Sequence, residues 1–497
     1  MKLRLLVETL VYLKPIQMIY QVLNKVSRPK LKDAVAPRNS NNLGIAAPIT
    51  KYSCYDGELF CFLNISDKFH SWNQSDHGML WAYNLNYMDW LGQKGTRIEV
   101  INYWIDRFID DLSDNKVGLD PYPIALRAIN WIKVFIQYPE CRNDKRNNSL
   151  YSQVLLLEKL LEYRLLGNHL LEDAYALFIA SIYFGDYRLY KKASRLLMEQ
   201  LDEQVLPDGA HFEQSPMYHC ILLDRLLDCY NFSVNNDIFD GQGFVTDFLM
   251  KKAENMLGHL QMVMWQDGSI PLMNDAAYGI APTSEMLFDY AKRLKLNWEA
   301  IPMNESGYRK MTNHSMEAIV DVGDVMAAYQ PGHSHADTFN FELRIDGKPF
   351  VVDTGISTYN KTSRRQYERS TAAHNCVVVN GIDSSHVWGG FRVGRRAKVH
   401  IEEDAASEIT ASHDGYKKKY LRMFMMTDDS FIVEDQYDGN AVSFIHLAKD
   451  ADLSRIKVEG ANKIEIEDNQ YSTEYNCFIS SKVMKLYFKG IIKYTIR

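Results

Sequence analysis

Partway along the chain the repeat of its apolar residues changes, and this shift limits what it can fold into. From about Gly95 to Lys295 apolar residues recur every three to four positions, over residues 98–112, 124–138, 151–166, 171–184, 187–204, 216–230 and 244–265. That spacing predicts helices with a buried stripe. The links between them are short and carry Gly, Pro, Asn and Asp, as in Asp120-Pro121 and Pro207-Asp208-Gly209, so neighbouring helices run antiparallel as stacked hairpins. After about Met311 the period becomes two. Residues 316–329, 338–345, 375–380, 398–402, 422–426, 431–434, 444–447 and 483–488 alternate or run apolar, rich in Val, Ile, Phe and Tyr, which predicts an antiparallel β-sandwich. One core cannot serve both periods. The expected organisation is an N-terminal extension (1–60), a helical domain (61–305) and a sheet domain (306–497), with the break in the Pro-, Asn- and Gly-bearing stretch near 298–308.

The net charge of −7 and a pI near 6.1 argue against a nucleic-acid binder, which needs a basic footprint. Seven cysteines without a CxxC pair suggest buried thiols rather than a disulfide framework or a zinc ribbon. The first 26 residues have apolar stretches interrupted by Glu8, Lys14 and Pro15, unlike a secretory leader. They read as an amphipathic helix that docks on the domain or touches a membrane surface. No later stretch reaches the ~18 apolar residues of a membrane span. A cytoplasmic or membrane-peripheral location is therefore expected over a periplasmic one.

Four segments carry candidate chemistry. His333 and His335 flank Ser334, and in a strand they would share a face; Asp353 and His374 follow. Such a set suits a divalent ion, and equally suits ordinary buried histidines. In Gly167-Asn168-His169 the asparagine sits where a helix is capped, with Glu172 one turn on. Ser215-Pro216 opens another helix and puts Tyr218 and His219 in its first turn, where backbone donors would lower the tyrosine's pKa. Arg364, Arg365, Arg369, Arg392, Arg395, Arg396 and Lys398 form a basic run. It suits either an anionic ligand or a solvated rim paired with Glu402, Glu403 and Asp404.

Taken in order, residues 168–177, 208–219, 267–282 and 333–380 resemble the heparinase II/III-like polysaccharide lyases, a group related to alginate lyases. The resemblance implies an incomplete (α/α) toroid followed by an antiparallel β-sandwich. It also implies β-elimination at a uronic acid of an acidic polysaccharide. Asn168 and His169 then neutralise the substrate carboxylate, Tyr218 is the acid/base, His169 is the base for the opposite epimer, and His333 approaches from the sheet domain. Glu172, Glu213, His219, Tyr359, Arg364 and Arg369 are the implied substrate contacts. His335, Asp353 and His374 resemble ligands of a structural divalent metal, zinc by preference. The same proton abstraction also fits a uronosyl C5-epimerase, and the same groove a non-catalytic polysaccharide-binding protein.

Overall fold

The apolar stripes of the first half pack as the spacing predicts in the computed structural model, which describes residues 2–26, 28–39, 41–50 and 54–497. Met1, Ser27, Ser40 and residues 51–53 of the expected extension lie outside the described residues. The helices are α1 (Lys2–Leu10), α2 (Pro15–Val26), α3 (Met79–Tyr87), α4 (Ile98–Asp110), α5 (Pro121–Gln137), α6 (Asp144–Leu160), α7 (Gly167–Phe184), α8 (Tyr187–Gln204), α9 (Pro216–Asn235), α10 (Gln242–Val263), α11 (Ser284–Arg293) and the short α12 (Ser363–Glu368). The spacing analysis missed α3 and α11, since nine or ten residues show too few turns for a period to stand out. It also extended α6 to Leu166. The helix stops at Leu160, and the freed loop carries Glu162.

Helix α7 is the hub. It packs against α5, α6, α8 and α9, and each of its residues except His169 is buried. A helix apolar on all sides has to sit inside a bundle. The one side chain it presents to open space is therefore conspicuous.

The second half is antiparallel throughout. A hairpin, β1 (Leu59–Phe62) and β2 (Ile65–Lys68), precedes the toroid helices. The main sheet contains β3 (Tyr308–Thr312), β4 (Met316–Asp321), β5 (Phe341–Ile345), β6 (Lys348–Val351) and β7 (Val377–Val378). Beyond a small hairpin of β8 (Val387–Trp388) and β9 (Arg392–Val393) it continues with β10 (Val399–Asp404), β11 (Glu408–His413), β12 (Tyr420–Met426), β13 (Phe431–Leu447), β14 (Ile456–Glu459), β15 (Lys463–Tyr471) and β16 (Ile479–Ile496). Residues 431–434 and 444–447, expected as separate strands, are parts of one strand. Asp438-Gly439 forms a bulge where the register with β16 shifts between Tyr437 and Asn440. A bulge bends a strand, and here β13 pairs with β12 before the bulge and with β7 and β6 after it. The two sandwich faces thus belong to one curled sheet. Phe341 of β5 meets Phe424 of β12 and Phe431 of β13 across the core, with ring centroids 5.8 and 5.5 Å apart.

Polar contacts join the halves. The Leu272 amide donates to Glu342, Arg344 pairs with Asp267, and Asp208 accepts from the amides of Asn304 and Ser306 in the connection. From the N-terminus, residues 34–39 and 41–46 run along the toroid, with Ala34 and Ala36 donating to side chains of α6, Ala46 to Asn231 of α9 and Gly44 to Asn236 just past its end.

Inside the sheet domain, Arg422 and Asp435 form a fully buried pair at 2.6 and 3.0 Å, and the guanidinium also donates to the carbonyls of Phe339 and Asn375. Removing one partner leaves a buried charge alone, which costs about 3–5 kcal/mol. Arg422→Leu is expected to lower stability by about that amount, read as a drop in the urea midpoint with the far-ultraviolet signal of the folded state retained in water.

Candidate active site

A cleft of ≈ 700 Å³ opens between the toroid and the sheet domain, and Asn168, His169, Tyr218, His333 and Tyr359 all line it. The backbone enters α7 through two successive left-handed residues, Leu166 (φ 61°) and Gly167 (φ 57°). A Cβ on residue 167 would lie 2.6 Å from a Glu213 carboxylate oxygen, so only glycine fits. Asn168 is consequently the second residue inside the helix and caps nothing, contrary to the sequence expectation. Its side-chain amide donates to both oxygens of Glu213 at 3.1 and 2.9 Å and lies 3.3 Å from His333 Nε2. Its backbone N–H also donates to Glu213, at 2.9 Å.

His333 and His335 were expected on a strand. They lie instead in the irregular segment between β4 and β5, where Pro331 and Gly332 interrupt any ladder. Asp275 brings them together: His333 Nδ1 is 3.0 Å from one of its oxygens and His335 Nε2 is 2.8 Å from the other. Arg365 of α12 grips the same carboxylate at 2.5 and 2.7 Å. Burial would raise the Asp275 pKa, but Arg365 and the two imidazoles hold it well below the carboxylate range. The tautomer that donates Nδ1–H to this carboxylate leaves His333 Nε2 as an acceptor, 3.3 Å from the Asn168 amide and 3.5 Å from a Glu213 oxygen.

The Ser215 hydroxyl caps α9 by accepting from the Tyr218 N–H at 3.2 Å, and Pro216 takes the first helical position, as expected. The Tyr218 ring lies against that of His333 with centroids 3.8 Å apart, and its hydroxyl is 3.4 Å from that of Tyr359. Its pKa is not lowered. Burial pushes it above the ordinary tyrosine value, and Tyr359 and Arg365 only partly oppose this. His219 does not supply a positive charge either, because burial and nearby His259 push its pKa down to about 3.

His169 also lines the cleft, its Nδ1 2.7 Å from Glu162 Oε2 and its ring edge-on to Tyr122. Burial disfavours its charge, yet Glu162 overrides this and raises its pKa.

Five implied substrate contacts do not reach the cleft wall. Glu172 is buried, with Arg225 Nε 3.9 Å away, and burial pushes its carboxyl up to about 7. Glu213 is occupied by Asn168, and His219 bonds the Met256 carbonyl. Arg364 pairs with Glu368, and buried Arg369 donates to the Ser334 carbonyl. Much of the basic run is likewise spent internally, with Arg395 on the Gly415 carbonyl and Arg396 on that of Ala328, while Arg392 and Lys398 stay exposed. The residues not anticipated as site members are Asp275, Glu162 and, on the cleft wall, Lys133 and Arg225, and Arg365 of the basic run serves Asp275 rather than an anionic ligand. Asp275 lies inside the 267–282 stretch that carried the resemblance, but nothing in a lone aspartate announced two histidine partners.

Among the described residues no group of three or more His, Cys, Asp or Glu side chains is gathered as a metal site. His374 Nδ1 bonds Asp353 at 2.8 Å, while His335 is turned to Asp275. The His335 and His374 rings are nonetheless 5.2 Å apart, and each keeps one buried nitrogen, Nδ1 and Nε2 respectively, without a hydrogen-bond partner. Two orphaned imidazole nitrogens beside a carboxylate fit a divalent ion.

Comparison with known proteins agrees with this architecture. The heparinase II/III N-terminus model matches residues 126–296 and the heparinase II/III-like, C-terminal model residues 295–461. A heparinase III crystal structure superposes with a TM-score of 0.64 at 14% identity, covering 97% of this chain and 91% of that one. Fold and sequence match thus define a toroid-plus-sandwich protein, and the chain belongs to the heparinase II/III-like family. Heparin-sulfate lyase from Pedobacter heparinus is 23% identical over 351 residues, covering 63% of this chain and 49% of that protein. The lyase of the same name from Bacteroides stercoris is 23% identical over 323 residues, covering 57% and 46%. The chain thus spans about half the length of these curated relatives.

The His169–Glu162 pair predicts its own titration. The charged pair stabilises the fold below the ordinary histidine range, and that contribution is lost as pH rises through the raised pKa of His169. In Glu162→Gln only the more distant Glu213 still opposes burial, so the imidazole pKa should fall, measured by proton NMR of the His169 ring.

Proposed function

We propose that the protein is a lyase that cleaves a uronate-containing acidic polysaccharide by β-elimination. The observation that carries this reading is that Asn168, His169 and Tyr218 from the toroid and His333 from the sheet domain share one cleft wall. The names of the matched relatives, heparin-sulfate lyases, point the same way and favour a glycosaminoglycan substrate.

The C5 proton of a uronic acid is weakly acidic, and the negative charge that builds on its loss spreads into the C6 carboxylate. The Asn168 amide and a protonated His169 meet that carboxylate and stabilise the charge. His333 Nε2, kept bare by Asp275, takes the C5 proton. The C5–H electrons form the C4–C5 double bond, the C4–O4 bond breaks, and O4 leaves with a proton from Tyr218. The raised pKa of Tyr218 suits this step, because the resting phenol holds its proton. The tyrosine is thus the acid and the histidine stacked on it the base. Arg365 positions the base through Asp275, and Glu213 orients the Asn168 amide.

Tyr218→Phe and His333→Ala should each lower the rate by about 10²–10⁴-fold, followed by near-ultraviolet absorbance of the unsaturated product across a panel of uronate-containing glycans. Solvent deuterium at C5 in chains that stay intact would instead identify an epimerase. Wild-type binding without turnover would identify a binding protein.

We propose further that His335, Asp353 and His374 hold a divalent ion, zinc by donor type, whose contribution is to cross-link three segments of the sheet domain. Its support is the pair of orphaned imidazole nitrogens. Purified protein should contain about one equivalent by mass spectrometry, and chelation should lower the melting temperature. Metal-free protein whose melting is unchanged by a chelator would reject the assignment.

A further inference from the structure

The N-terminal helices are unlike the rest of the surface. Of the 23 large apolar side chains exposed among the described residues, ten lie between Leu3 and Val26. In α1 they are Leu3, Leu6, Val7 and Leu10, continued by Val11 beyond its end, and in α2 Met18, Ile19, Val22, Leu23 and Val26. Their exposure runs from 39% at Leu6 to 80% at Val26. Spacings of three, four and seven residues in α1, and of one, four, five and eight in α2, put each set on one face of its helix.

The opposite faces are the ones that dock, through polar groups and, in α2, also through Ile16 and through Tyr20, which packs on Tyr163. Glu8 accepts from His386 Nδ1 and the Arg395 N–H, Thr9 accepts from the Trp388 indole, and Gln17 donates to the carbonyls of Leu165 and Tyr329. The larger apolar stripe of each helix thus faces outward, whereas that of an ordinary surface helix faces the core.

The charge of the segment says what covers the stripe. Residues 1–32 contain seven Lys and Arg and one acidic residue, Glu8, which is already engaged. They carry net +6, and the other 465 residues carry −13. Pairing this face with its equivalent on a second copy would bring two +6 segments together. An anionic lipid surface offers the opposite charge and an apolar layer for the stripe. No helix among the described residues is long and apolar enough to cross a membrane, so these helices would lie in the interface rather than span it.

We infer that α1 and α2 form a docking face for an anionic lipid bilayer. The face is coupled to the cleft: α2 is bonded to the carbonyls of Leu165 and Tyr329, and Leu165 and Gln330 line the cleft. Docking holds the cleft close to lipid, where a glycan anchored at or leaving a membrane would be met; that consequence rests on the lyase reading, whereas lipid binding itself does not.

The test is co-sedimentation of the full chain with phosphatidylglycerol/phosphatidylcholine vesicles and with pure phosphatidylcholine vesicles. The wild type is expected to pellet with the anionic vesicles and to partition about tenfold more weakly onto the neutral ones. Val7→Asp/Val22→Asp/Val26→Asp should reduce anionic binding by about tenfold or more while leaving circular dichroism and turnover of a soluble glycan unchanged. Lys25→Glu/Lys30→Glu should weaken it without touching the apolar stripe. A wild type that stays in solution with anionic vesicles, or an apolar variant that binds as the wild type does, overturns the inference. So does a wild-type dimer that these substitutions make monomeric while vesicles leave it unbound. Loss of turnover with vesicle binding intact would count against the lyase reading alone.

Discussion

The Asp275 carboxylate holds the site together. It lies in the connection between α10 and α11 on the toroid side, and its four contacts to Arg365, His333 and His335 all come from the sheet-domain half of the chain. A buried carboxylate without partners would be untenable. The same need for partners fixes the loop bearing both histidines, the orientation of α12 and the angle at which the halves meet. It also sets the tautomer of His333, and so the chemistry its free nitrogen can do.

A parallel arrangement serves the toroid wall. Glu213 accepts three hydrogen bonds from Asn168, and Glu162 backs His169. Acidic residues behind the wall thus orient the donors that face the cleft. Most arginines expected to greet an anionic ligand are likewise turned inward, holding carbonyls and carboxylates, and Arg392 alone of them is exposed. Two of the cleft's cations, Lys133 and Arg225, come from the toroid helices, and both are paired with Asp228; Lys361 comes from the sheet-domain half.

Much of this was legible in advance where the signal is local. Helix α8 spans the residues its period predicts, because amphipathic spacing over 18 residues leaves little choice. The Ser215 cap and Pro216 followed from turn chemistry alone. Reading failed where the answer depended on partners far along the chain. Asn168 resembled a cap because a cap is what asparagine does locally; in the fold Glu213, 45 residues on, turns it to other use. Tyr218 looked set for a lowered pKa from its helix end, and burial between the domains decided the opposite.

The sequence by itself determined the two periods, hence the helical half and the sheet half, and the order of segments that marks the family. Only the tertiary structure decided which polar side chains face the cleft and which stand behind it. It also decided that the terminal helices turn their apolar stripes outward. The reason is physical: periodicity records burial along a single element, whereas the partner of a buried charge and the direction of an exposed face are set by what packs against that element from elsewhere in the chain.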